Sequence, residues 1–191
     1  MHRITTTLFV LLIATLAKGS PLTTDQKNLN SSDDIAHLIA CKNWLNNGEN
    51  PDLLLAQTLK PPCKISPNFP LTLSHGWLVD TSCNAARQPN TCRLHQGAHG
   101  CYLHAFDGSG PGAQACYDKA GIWISDPWKG AGTLDAETPL GDFSQIMKHE
   151  IADVVPYYQC CTVPSVFQPK LCNLYYQKRP TGVCEGKDLA E

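Results

Sequence analysis

Charge is what this sequence has least of. Only 17% of its 191 residues are Asp, Glu, Lys or Arg, against about 25% in an ordinary globular chain. The two signs nearly cancel, leaving a formal net charge of −2, so no basic field gathers nucleic acid or anionic lipid. Long apolar runs are missing too. Beyond one N-terminal segment nothing approaches the roughly 20 residues that cross a bilayer, and the polar C-terminal stretch, residues 186–191, is unlike the tail of a lipid-anchor signal. There is no Gly-x-Ser-x-Gly elbow for a serine hydrolase. There is no Cys-x-x-Cys pair, and zinc-finger spacing is absent. Cys160-Cys161 is not followed by the His-Asp of a secreted phospholipase. Internal repeats and low-complexity segments do not occur.

What the chain has in quantity is cysteine (10), proline (14) and glycine (14). It opens on Met1, His2 and Arg3, continues through an apolar core at residues 8–17, and leaves it by Lys18, Gly19 and Ser20. That order predicts a secretory signal peptide over residues 1–19, cleaved after Ala17 or Gly19; Ala17-Lys18-Gly19 fits the small-x-small rule better. All ten cysteines follow it: Cys41, Cys63, Cys83, Cys92, Cys101, Cys116, Cys160, Cys161, Cys172 and Cys184. An even set in an oxidising compartment predicts five disulfides, each contributing typically about 2–4 kcal/mol. Their connectivity is open: ten cysteines allow about 945 pairings.

Residues 20–34 are polar and unpatterned and predict a flexible leader. It carries the sequon Asn30-Ser31-Ser32, which predicts a glycan on Asn30 in a secreted protein. From there a single domain extends over residues 35–191. A helix is predicted from Ile35, capped by Asp33 or Asp34, with Ile35, Leu38, Ile39 and Leu45 on one stripe and Trp44 at its edge, stopped by Asn46-Asn47-Gly48. Asn50-Pro51 starts a second helix carrying Leu53, Leu54, Leu55 and Leu59, ended by Pro61-Pro62. Short strands are predicted at 71–73, 77–79, 100–106, 115–117 and 121–124, with a Gly-rich turn at 107–112. A third helix follows Asp142, its apolar positions Phe143, Ile146, Met147, Ile151 and Val154 spaced for one helical face, until Pro156 ends or kinks it. The fold class is therefore α+β: a small, disulfide-rich, loop-heavy single domain with about three short helices and a few short strands.

Several motifs follow one another along the mature chain, each once: Cys41-x-x-Trp44-Leu45; Leu59-x-Pro61-Pro62-Cys63; Gly97-Ala98-x-x-Cys101; Gly112-x-Gln114-x-Cys116-Tyr117-Asp118-x-x-Gly121; Gly130-Ala131-Gly132-Thr133; His149-x-x-x-Asp153-x-x-Pro156; Cys160-Cys161; Cys172-x-x-Tyr175; and Arg179-Pro180-Thr181-x-x-Cys184. Together, over roughly residues 40–184, they resemble the AMOP domain, an adhesion-associated domain of extracellular proteins. The resemblance implies a non-enzymatic extracellular protein acting in adhesion, matrix association or ligand-like binding. The family pattern has a cysteine pair before the Tyr-Asp, where this chain has Ala115-Cys116, so one bridge of that pattern is lost or rerouted.

Two alternatives come from the residues. His149-Glu150-x-x-Asp153 is a zinc-protease helix motif with Asp replacing the second His. His149 and Asp153, at i and i+4, share a face, and Glu150 is then the general base of a metal-dependent hydrolase. Without a third ligand the same residues form a structural motif, a His–Asp pair leading into Pro156. The second alternative is a protease inhibitor presenting the 107–112 loop. His95, His99 and His104 cluster around Cys101, as polar surface or as a surface metal site. The favoured reading assigns no catalytic residue, metal or cofactor, and no nucleic-acid partner or membrane span. It expects a secreted extracellular chain with an extracellular protein or matrix partner, contacted through aromatics drawn from Trp77, Trp123, Trp128, Tyr157, Tyr158, Tyr175 and Tyr176.

Overall fold

The computed structural model describes residues 32–47, 49–57, 59–105, 109–162 and 168–186; the signal segment, nearly all of the leader, Asn30 and the tip of the 107–112 loop lie outside them. The described elements are α1 (Ser32–Asn47), α2 (Pro51–Gln57), β1 (Leu78–Val79), β2 (Gly100–Ala105), β3 (Gly112–Tyr117), β4 (Leu134–Asp135), α3 (Phe143–His149), α4 (Val155–Tyr157) and α5 (Gln168–Lys178). Wide π-helical turns at Glu150–Val154 and Tyr158–Thr162 join α3 and α4 into one continuous helical rod from 143 to 162. The chain is thus mixed helix and sheet, as its composition and spacing predict.

The β2–β3 hairpin organises the fold. Its antiparallel register sets Cys101 opposite Cys116 and Tyr102 opposite Ala115. Successive side chains alternate between faces, so one face carries the cysteines and the other the aromatics. Tyr102, Ala115 and Tyr117 join Phe69, Trp77 and Leu134 in the main core. Tyr102 and Tyr117 anchor their hydroxyls on the Pro70 and Pro62 carbonyls, at 2.7 and 2.8 Å. On the opposite face Cys101–Cys116 lies against Cys83–Cys92, with Cys83 Sγ 3.1 Å from Cys101 Sγ. β1 and β4 flank the hairpin to complete a four-stranded antiparallel sheet. Gly132 runs so close to β3 that a Cβ there would strike the Gln114 carbonyl, and this close approach delivers β4 to the sheet edge. The predicted strands at 71–73 and 121–124 are reduced to isolated bridges at Thr72, Ile122 and Trp123.

The second core lies between helices. Cys41–Cys160 ties α1 to the far end of the rod, and Cys161–Cys172 ties that end to α5. Cys63–Cys184 closes the chain around the sheet, and all ten cysteines are paired. Ala115 occupies the position where the family pattern has a second cysteine. It points into the aromatic core, away from the sulfur face, so that Cys116 pairs across the hairpin with Cys101.

Two helices expose faces that their periodicity reads as apolar seams. In α1 the buried line runs through Leu38, Cys41, Trp44 and Leu45, whereas Ile35 and Ile39 are exposed. In the rod the expected face is inverted at every position except Val154, which is half-buried. Gln145, Asp153, Pro156 and Cys160 face inward, while Phe143, Ile146, Met147, Ile151 and Val155 face solvent. Nor does Pro156 end the helix. Lacking an N–H, it cannot serve the Ala152 carbonyl four residues earlier. The helix widens around it, and the Ala152 carbonyl accepts instead from Trp44 Nε1 and Arg179 Nη2, both at 3.2 Å.

Candidate functional site

The inward face of the rod is polar because it lies against the backbone of residues 135–138, whose amides need acceptors. Asp153, 2% exposed, supplies them: its Oδ1 accepts from Ala136 N at 3.0 Å and its Oδ2 from Glu137 N at 3.1 Å. One turn earlier, His149 Nδ1 donates to the Glu137 carbonyl at 2.8 Å and lies 3.4 Å from Asp153 Oδ2. Two turns earlier, Gln145 Nε2 donates to the Thr138 carbonyl and to Glu137 Oε2. The i, i+4, i+8 spacing thus produces a column of polar side chains that caps a strand end.

Into this column comes Arg179, with no exposed surface. Its Nε donates to Asp153 Oδ1 and its Nη2 to Glu49 Oε2 at 3.0 Å, while the guanidinium lies 5.1 Å from the centre of the Trp44 ring. Tyr175, one turn before it on α5, donates its hydroxyl to the Asp153 carbonyl at 3.1 Å. A guanidinium cannot shed its proton in a protein, so an arginine this deep requires an anion, and Asp153 is that anion.

Asp135 is the third acidic group. Its carboxylate accepts from Thr133 Oγ1 at 2.9 Å and lies 4.0 Å from His149 Nδ1. Burial, reinforced by the Asp153 charge, pushes Asp135 up to about 7. Burial alone would lower His149, but the hydrogen bond to Asp153 and the Asp135 charge overcome it and raise it to about 9. Asp153 moves the other way: despite burial, the His149 hydrogen bond and Arg179 hold it below the ordinary carboxylate value.

These directions fix a pH profile. The raised Asp135 favours the folded state only while protonated, so its contribution is lost as pH rises from about 4 to about 7. His149 contributes fully below about 6.5 and loses that contribution through about 9. Asp153 stabilises above about 4 and loses its contribution in acid. Stability is therefore expected to peak at mildly acidic pH and to fall between pH 5 and pH 8. Asp135→Asn keeps the Thr133 hydrogen bond and removes the titrating carboxyl. It should shrink the pH 5 to pH 8 loss by on the order of 1–3 kcal/mol, read from urea unfolding at both pH values with disulfides intact. An unchanged pH difference would contradict this assignment.

Asp135, His149 and Asp153 bring their ligand atoms within 4.8 Å of one another, the third-ligand geometry that the sequence alone did not reveal. Their chemistry does not fit a metal site. Both Asp153 oxygens already accept from backbone amides, and the cation held there is Arg179. Glu150, the candidate base, lies off this face on the half-buried flank. His95, Cys101 and Cys116 also converge, but the two sulfurs are bonded to each other and offer no thiolate. The other two histidines do not join them: His99 lies edge-on to Phe69 and His104 against Trp77.

Of the aromatic candidates, Trp77, Trp123 and Tyr175 are buried. Trp128 is exposed, yet held by a 3.1 Å bond from Nε1 to Asn173 Oδ1 and by Tyr176 edge-on at 6.0 Å. Asp135, Glu49 and Gln145 escape sequence reasoning because nothing local marks them. Arg179 stood in the Arg179-Pro180-Thr181 motif without a role, and nothing in its neighbours Lys178 and Pro180 distinguishes it from a surface cation.

The sequence profile of the AMOP domain matches residues 36–187. Among curated proteins, Protein mesh of Bombyx mori is 28% identical over 162 residues, covering 75% of this chain and 10% of that protein. The chain therefore spans about a tenth of the length of that relative. No solved structure matches.

Proposed function

The chain belongs to the AMOP domain family, a family of extracellular, adhesion-linked domains, and from that premise we propose that it is a secreted binding module that attaches to an extracellular protein or matrix partner. Trp128 carries this reading. Large aromatics with one polar edge dominate binding hot spots, and a tryptophan already fixed by Asn173 and Tyr176 loses little freedom on binding. The Asp126 side chain caps the short turn Pro127–Lys129 by accepting from Trp128 N at 3.0 Å, which fixes the backbone as well. Five disulfides favour an oxidising destination. With them go delivery by a signal peptide at residues 1–19, a leader that gives way to α1 at Ser32 rather than after residue 34, and a glycan on Asn30. The column around Asp153 is scaffolding in this reading, and the hydrolase reading loses its metal ligand to Arg179.

Trp128→Ala tests the proposal. Binding of the secreted chain to a decellularised matrix coat should be saturable in the wild type and at least about tenfold weaker in the variant. Its unfolding free energy should change by less than about 1 kcal/mol. Equal binding by both proteins, or no saturable binding at all, would refute it.

A further inference from the structure

The helical rod keeps its polar side inward and turns an apolar side to solvent. Phe143 is 76% and Ile151 67% exposed, and Ile146, Met147, Val155 and Tyr158 are exposed beside them. No charged residue is among these six; Lys148 and Glu150 border them. The exposed area they present is about 600 Å², as large as the largest apolar patch of a typical monomer, and such patches are often functional.

We propose that this stripe is a homophilic docking surface on which two copies of the chain pair, rods antiparallel, about a two-fold axis through Ile151. The order of side chains supports a second copy. Read outward from Ile151, the stripe meets Met147 and then Phe143 in one direction, Val155 and then Tyr158 in the other. An antiparallel copy sets Ile151 on Ile151, the long Met147 on the short Val155, and Phe143 on Tyr158 at both ends. The isologous contact therefore closes on itself. The i, i+4 row of 143, 147, 151 and 155 is a ridge of the kind that packs into the groove of a like helix. Area is compatible with a weak pair: two such stripes could bury at most about 1,200 Å² in total, the lower bound for a specific interface. No charged side chain is among the six, and the like charges that the axis brings near each other, the two Glu150 side chains, lie at the border of the stripe. This goes beyond the Trp128 reading, which does not require a dimer.

Sedimentation equilibrium of the secreted chain from about 1 to 100 µM tests it. The expected result is a reversible dimer with Kd in the micromolar range, in keeping with a small interface. Ile151→Asp, which sets two carboxylates on the axis, should raise Kd at least about 100-fold while leaving Tm within about 2 °C, because the residue is exposed in the monomer. Phe143→Ser should act in the same direction more weakly. A wild type that stays monomeric at 100 µM, or an Ile151→Asp variant that still dimerises as well, overturns the proposal. So does a monomeric wild type whose Tm falls in Ile151→Asp, since another part of the same chain would then cover the stripe. A monomer that still binds the matrix coat refutes the dimer alone; a dimer that fails to bind it refutes the Trp128 reading alone.

Discussion

Asp153→Ala is expected to lower the unfolding free energy by about 3–5 kcal/mol, the usual cost of leaving one member of a buried ion pair without its partner. The loss has three sources. Arg179 keeps its charge with no exposed surface and retains only the half-exposed Glu49 as an anion. The amides of Ala136 and Glu137 lose their acceptors, and His149 loses the carboxylate that keeps it protonated. Asp153→Asn keeps one acceptor oxygen and should cost less, about 1–3 kcal/mol. Glu150→Gln should be neutral within about 0.5 kcal/mol. Urea unfolding of the three variants, with disulfides intact, gives the order. If Glu150→Gln proved the most damaging, or if Asp153→Ala were neutral, the column would not be the scaffold described here.

Replacing Cys41 and Cys160 together by alanine is expected to cost about 4 kcal/mol: 119 residues separate the two in sequence, but with Cys63–Cys184 and Cys161–Cys172 intact the shortest loop the bridge closes is about 35 residues, and loop-closure entropy grows with loop length. The same double change at Cys161 and Cys172, which closes only 11, should cost about 1–2 kcal/mol less. Besides the bridge, α1 is held by one line of side chains, centred on Trp44, which bonds to the Ala152 carbonyl and stacks on Tyr175. That line is short, and Ile35 and Ile39 face solvent. Limited proteolysis of the Cys41/Cys160 variant should accordingly begin between α1 and α2. Equal losses from the two bridge deletions would argue against the loop-closure account, and peptide mapping of the unreduced chain would check the pairing itself.

The sequence by itself determined the class of molecule. The scarcity of charge, the even set of cysteines and the ordered motifs from Cys41 to Cys184 place the chain among disulfide-rich α+β domains and within its family. They do so because composition and spacing survive without any knowledge of contacts. Two helix starts were equally legible: Asn50-Pro51 opens α2, and Asp142 caps α3 through Gln145 N at 3.0 Å, whereas α1 begins at Ser32, ahead of the expected Asp33 or Asp34 cap, and α5 (Gln168–Lys178) was not expected. Such signals act within a few residues. The tertiary structure alone decided which of about 945 pairings the cysteines adopt, since Cys41 meets Cys160 only once α1 lies on the rod. It also decided which way the rod faces. Periodicity identifies an apolar stripe but not what the stripe faces, and here the amides of Ala136 and Glu137, together with buried Arg179, demanded carboxylate and carbonyl acceptors on the inward side. A hydrogen-bonding requirement set by residues far along the chain thereby outweighed the burial of five apolar side chains. Asp135, Glu49 and Arg179 come together with Asp153 from four separate segments, and no local pattern announces a site assembled in that way.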